Sequence, residues 1–162
     1  MNQLTNMAAS VGQLLKDRGE TVGVSESSTG GLVSAALLSI PGASAYFVGG
    51  AALYTYISRE AFIGFSLDDH PGVRSASEPF VKIAAATMRD VLGTTWGVAE
   101  AGAAGPTGNR YGDDAGHSCI AINGPVERVI TIETGSGERE ANMWRFAEET
   151  LKLFEAALKD AG

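Results

Sequence analysis

The sequence predicts an α/β layered domain with a mixed sheet. Three observations carry this. Stretches with helical apolar spacing alternate with short apolar runs along most of the chain. The last two short runs stand in hairpin order across Asn123-Gly124-Pro125. The length of 162 residues suits one domain, 1–162, with a sizeable core. Alternation calls for parallel pairing with helical crossovers, and a hairpin adds antiparallel pairing.

Leu4, Met7, Ala8, Val11, Leu14 and Leu15 fall at helical spacing and Gly19 is a natural stop, so 3–18 is a helix. Thr21–Ser25 is a strand, and Thr29–Ser39 is a helix closed by Pro41-Gly42. A short turn or helix start at Ser44–Phe47 leads into a strand over Phe47–Tyr56, where Gly49-Gly50 marks a bulge or a close backbone approach. Ser58–Ile63 is a short helix capped by Ser58 and ended by Gly64. After a loop, Ser77-Glu78-Pro79 opens a helix with serine as cap and proline in the first turn. Phe80, Ile83, Ala84, Thr87, Met88 and Val91 form its apolar face. Thr95–Ala101 is a strand, and Gly102–Gly116 a glycine-rich polar loop. His117–Ile122 and Glu127–Glu133 make the hairpin. Residues 138–159 form the last helix, with Trp144, Phe146, Ala147, Leu151 and Phe154 inward.

Hydrophobic content of 44% and charged content of 19% fit a soluble globular protein. The net charge of −7 argues against sequence-independent nucleic-acid binding, which needs a basic face. A small anion held by backbone amides and one or two arginines stays open. Cys119 is the one cysteine, set in an apolar run, which fits a buried, reduced thiol in a cytosolic protein. His70 and His117 lack metal-ligand spacing, so no metal site is expected. Met1 to Gly12 has no apolar core of a signal peptide, and no stretch approaches the roughly 18 apolar residues of a membrane span. The expected location is the cytoplasm.

The chemistry concentrates at Glu26-Ser27-Ser28-Thr29-Gly30-Gly31, between an apolar run and a helical one. A strand-turn-helix layout sets hydroxyls and glycines beside unpaired N–H groups at the positive end of a helix dipole. Such a spot suits a phosphate or an oxyanion, or exposes a serine for nucleophilic attack. Ordinary helix capping and turn chemistry account for the same residues.

Further motifs narrow the choice. Pro41-Gly42-Ala43-Ser44-Ala45-Tyr46-Phe47, Gly49-Gly50 and Tyr54 follow the early motif. Ser75-Ala76-Ser77-Glu78-Pro79, Gly102-Ala103-Ala104-Gly105-Pro106, Gly116 and Gly137-Glu138-Arg139 complete the series. In this order the chain resembles the C-terminal domain family of CinA (competence/damage-inducible) proteins, which includes the nicotinamide-nucleotide amidohydrolases. The resemblance implies a three-layer α/β/α sandwich with a mixed, mostly parallel sheet that self-associates into a homo-oligomer. It implies hydrolysis of nicotinamide mononucleotide to the nicotinic acid nucleotide and ammonia, with no cofactor.

The resemblance places the family's serine nucleophile on Ser27, with Ser28 where the family has cysteine. It puts ligand contacts on Ser28, Thr29, Gly30, Gly31, Gly102 and Gly105. Arg139 is expected at the ligand's phosphate or at a subunit contact, against a plain surface arginine. Tyr46 and Phe47 are expected to wall the pocket, with core packing the equal alternative for Phe47. Two departures bear on catalysis. The family's lysine, taken as base for the serine, is replaced by Arg59, and a threonine or serine by Ala101. A basic residue in the following loop has become acidic at Asp113-Asp114.

A serine hydroxyl is a poor nucleophile until a base takes its proton. Lysine can serve because burial lowers its pKa, whereas a guanidinium stays protonated. Loss of general-base catalysis removes about 10²–10⁴ in rate. The substitute bases to weigh are Glu100, Glu26, His117, Asp113 and Asp114. Glu100 should face away from Ala101, with a salt bridge or solvent contact as its expected role. His117 is expected to be a satisfied strand residue, and the aspartates to lie in a solvated loop. Two readings remain: an amide hydrolase with weakened or altered machinery, and a non-catalytic binder of a pyridine nucleotide or other phosphorylated ligand.

Overall fold

The structure, a computed structural model, describes residues 2–162. The elements run α1 (Asn2–Arg18), β1 (Val22–Glu26), α2 (Leu32–Leu38), β2 (Phe47–Ala52), α3 (Tyr56–Ile63), α4 (Glu78–Leu92), β3 (Trp96–Ala103), β4 (His117–Asn123), β5 (Arg128–Glu133) and α5 (Arg139–Ala161). The strands form one sheet in the order β2-β1-β3-β4-β5. β1 pairs in parallel with β2 and β3, while β3–β4 and β4–β5 are antiparallel. The sheet is mixed, and its pairings divide evenly instead of being mostly parallel. The cause is connectivity: helices return the chain between β1, β2 and β3, whereas no helix separates β3, β4 and β5.

Strand alternation sorts the side chains into two cores. Val22, Val24, Trp96, Val98 and Ile122 pack with α1, α2 and α5. Ala99, Ala101, Cys119 and Ala121 pack on the other side with Phe80, Val81, Ala84 and Ala85 of α4. Helices thus cover both faces of the sheet. Burying each large apolar side chain contributes about 1.5–3 kcal/mol.

Several boundaries differ from the sequence reading. α2 starts at Leu32, after two glycines with positive φ at Gly30 and Gly31. β2 ends at Ala52, and its one irregularity falls at Val48, beside the glycine pair. α3 begins at Tyr56; Thr55 is its cap, and Ser58 completes a reciprocal capping box. On α4, Val91 is 52% exposed and lies outside the buried stripe. α4 otherwise starts as expected, with the Ser77 hydroxyl accepting the Phe80 N–H and Pro79 in the first turn. Among the described residues, no helix is long and apolar enough to cross a membrane.

Candidate functional site

Ser27 stands one residue past the carboxyl end of β1, where open α/β sheets hold ligands. Two neighbouring carboxylates build the turn that carries it. Glu26, the last residue of β1, is 1% exposed. Its Oε1 accepts the N–H of Gly31 at 3.1 Å and of Val33 at 2.9 Å, and its Oε2 that of Ser34 at 2.8 Å. The chain's own carboxylate therefore occupies the amino end of α2, where the sequence suggested a bound anion. Glu26 is thereby removed from the list of bases.

Glu100, from the middle of β3, is equally buried from water and holds the next three residues. Oε2 accepts the N–H of Ser27 at 3.1 Å, and both the N–H and the hydroxyl of Thr29 at 3.0 Å. Oε1 accepts the Ser28 hydroxyl, and the Ser118 hydroxyl at 3.0 Å. Burial pushes the Glu100 carboxyl above its ordinary value, and the bonds from Ser28, Thr29 and Ser27 oppose that. The expected salt bridge or solvent contact is absent: Glu100 is the internal anchor of the serine turn. The side chains of Ser28 and Thr29 are consequently spent on Glu100 and not aimed at a ligand. Glu100 does face away from Ala101, as strand alternation requires, since Ala101 sits in the α4-side core.

The Ser27 hydroxyl has a different partner. Arg59 Nη2 donates to Ser27 Oγ at 3.5 Å. Arg59 projects from α3 and is 3% exposed. Its guanidinium carbon lies 4.6 Å from the centre of the Phe80 ring and 5.7 Å from that of Tyr56. Burial pulls this guanidinium below its ordinary value, while Tyr56, Glu100 and Tyr111 act the other way. No hydrogen bond from Ser27 Oγ to a carboxylate, imidazole or amine occurs among the described residues.

Ser27 and Arg59 open into a cleft of about 380 Å³. Its remaining wall comes from Tyr54, Thr55 and Tyr56, from Ser75 and Ala76, and from Asn109, Arg110 and Tyr111, with Gly102 at one side. The Tyr56 and Tyr111 phenols bond each other across the mouth, and Arg110 Nη2 donates to Tyr111 at 2.9 Å. Burial raises both phenols; bonds from Tyr56 and Arg110 then bring Tyr111 below its ordinary value, and Tyr56 ends above it. Tyr56, Arg110 and Tyr111 were not singled out from the sequence. The signal was there in Asn109-Arg110-Tyr111, a cationic and aromatic triplet inside a glycine-rich loop.

The loop is held from outside the cleft. Asp113 takes Arg74 at 2.7 and 3.1 Å and Asn109 at 2.7 Å, so it is a pinned residue and not part of a solvated loop. Asp114 is exposed. His117 is satisfied, as expected: Nδ1 lies 2.5 Å from Glu133 and Nε2 2.8 Å from the Ala76 carbonyl. Both partners are acceptors, which calls for the imidazolium. Ala76 itself adopts φ 56°, a left-handed backbone that strains a non-glycine residue.

Arg139 lines a second hollow of about 290 Å³ that shares Ser27 and Tyr54 with the first and adds Ser28, Gly30, Ala52 and Met143. Its guanidinium donates to the Gly105 carbonyl at 2.5 Å and to the Tyr54 hydroxyl at 3.3 Å. Gly102 and Gly105 have steric reasons to be glycine. A Cβ on Gly102 would meet the His117 carbonyl at 2.4 Å, and one on Gly105 the Gly137 carbonyl at 2.6 Å. Tyr46 is not a pocket wall. It is fully buried in the α1/α2 core and donates to the Leu37 carbonyl. Phe47 packs against that same core. Among the described residues, no three metal-ligating side chains come together.

The fold and the sequence point to the same relatives. A "CinA-like protein" of Prochlorococcus marinus (strain MIT 9313) is 41% identical over 120 residues, 74% of this chain and 28% of that protein. One of Synechococcus sp. (strain CC9902) is 40% identical over 73% of this chain and 28% of that protein. The chain thus spans little more than a quarter of these relatives. Among solved structures, a competence or damage-inducible protein from Enterobacter asburiae is 26% identical, with a TM-score of 0.85 over 96% of this chain and 98% of that one. A CinA superfamily protein from Klebsiella pneumoniae shares the fold, with a TM-score of 0.89 over 97% of this chain and 98% of that one at 21% identity. The family model described as the CinA C-terminal domain matches residues 4–158, and the chain belongs to that family.

Proposed function

We propose that the chain binds a pyridine nucleotide in the cleft at Ser27 and hydrolyses its carboxamide weakly or not at all. The observation that carries this reading is the Arg59 contact: the group that reaches the serine hydroxyl is a guanidinium donor, 3.5 Å away. Attack by Ser27 needs its proton removed, and a guanidinium does not accept protons near neutral pH. Ala101 supplies no hydroxyl that could relay the proton. Glu100 meets the Ser27 backbone N–H and not its hydroxyl. The serine turn, the arginine-lined cleft and its tyrosines support binding without efficient turnover.

The test mixes the purified protein with nicotinamide mononucleotide. Little ammonia release together with a ligand-dependent rise in melting temperature is the expected result. The absence of both turnover and a melting shift would overturn the reading, and so would rapid ammonia release that depends on Ser27.

A further inference from the structure

Arg59 carries a buried charge that no side chain among the described residues pairs. It is 3% exposed, and among the described residues no carboxylate lies within the 4.0 Å of an ion pair. Among the described residues its guanidinium makes one hydrogen bond, the 3.5 Å contact to Ser27 Oγ, and it lies over the faces of Phe80 and Tyr56. A desolvated charge is costly unless it is paired, and a guanidinium offers five donors in a planar fork. Arg59 borders the cleft, so an incoming group can meet that fork.

The hydroxyl sharpens the demand. Ser27 Oγ accepts from Arg59, which leaves its own proton free to donate. Guanidinium and hydroxyl together present several donors at this end of the cleft, against the single lone pair that Ser27 Oγ keeps. A carboxamide placed there offers these donors one acceptor oxygen, and its NH₂ group meets either the guanidinium or that single lone pair. A carboxylate offers two acceptor oxygens in the plane that a guanidinium fork matches. Of the two rings beside Arg59, Tyr56 also lines the cleft, where a planar group can stack.

We propose that the cleft selects a planar, carboxylate-bearing ligand, the acid and not the amide, with its carboxylate held between Arg59 and the Ser27 hydroxyl. This rests on the pyridine-nucleotide reading for the body of the ligand and concerns only the group at Ser27. The site then recognises what an amide hydrolase of this type releases and not what it consumes.

The experiment titrates the full chain by calorimetry with nicotinic acid mononucleotide, nicotinamide mononucleotide and inorganic phosphate. The acid should bind at least about tenfold tighter than the amide. That preference should hold from near pH 6 to near pH 9, because neither a guanidinium nor an ionised carboxylate titrates there. Arg59→Gln should bring the acid down to the affinity of the amide, and Arg59→Lys should keep part of the preference. Equal binding of acid and amide, or tighter amide, overturns the inference and leaves the nucleotide reading standing. Binding of neither nucleotide overturns both. Phosphate displacing acid and amide alike, with no difference between them, assigns the anion to the phosphoryl group and also overturns the inference. If Arg59→Gln fails to fold, the wild-type comparison still decides.

Discussion

One oxygen of Glu100 accepts both the backbone N–H and the hydroxyl of Thr29, each at 3.0 Å. Through this carboxylate, β3 holds the turn that presents Ser27, and the neighbouring strand β1 does the same for α2 through Glu26. The serine is thus placed by two buried acids that themselves take no proton from it.

Glu100→Ala should destabilise the protein by about 1–3 kcal/mol, because the Ser27 and Thr29 N–H groups lose their buried acceptor. Glu100→Gln should lose less, since it keeps one acceptor oxygen. Urea denaturation measures both; an unchanged midpoint for the alanine variant contradicts the anchoring role.

Glu26→Ala should lower stability by roughly 1–2 kcal/mol, the range of a lost helix cap. Three N–H groups at the start of α2 lose their acceptor at once. A melting temperature equal to that of the parent would show that those groups are satisfied in another way.

The His117 contacts predict a pH dependence. Burial pulls the imidazole down, but the Ala76 carbonyl, Glu133 and Asp113 outweigh it and leave the pKa raised. A raised histidine stabilises fully below its unfolded value of about 6.5, and that stability is lost as pH rises through the folded value. Glu133 is 57% exposed, so solvent screens its share, and the Ala76 bond is the better protected one. Wild-type urea midpoints should fall across this window, and His117→Gln should flatten the fall. Parallel profiles for the two proteins would refute the assignment.

Restoring the missing chemistry should restore rate. Arg59→Lys with Ala101→Thr puts a titratable base in the wall of the Ser27 cleft and a hydroxyl on the buried α4 side of β3. Turnover of nicotinamide mononucleotide should rise by about 10² or more, the lower range for general-base catalysis. Ala101 is 1% exposed within the α4-side core, so the added atoms should also lower stability by about 1–3 kcal/mol. A double variant that binds the nucleotide yet stays inert would show that more than the base is missing.

Helical spacing, caps and the hairpin made the element order legible, and the alternation of Glu100 and Ala101 gave the correct faces. The serine turn was legible as a strand-turn-helix motif, but not its occupant. Glu26 is adjacent in sequence to the groups it caps, whereas Glu100 lies 73 residues from Ser27, and only the β1–β3 pairing joins them. Tyr46 looked like a wall because its motif sits near the pocket in sequence, yet its ring is covered by α1 and α2. Arg110 and Tyr111 were legible as a cationic and aromatic pair in a glycine-rich loop, but nothing local announced their meeting with Tyr56 of α3.

The most direct test is ammonia release from nicotinamide mononucleotide near pH 7 by the wild type beside Ser27→Ala. With a guanidinium at the hydroxyl, the two proteins should release ammonia at nearly the same low rate. Rapid release by the wild type that vanishes in Ser27→Ala would contradict the claim that Ser27 lacks a proton acceptor.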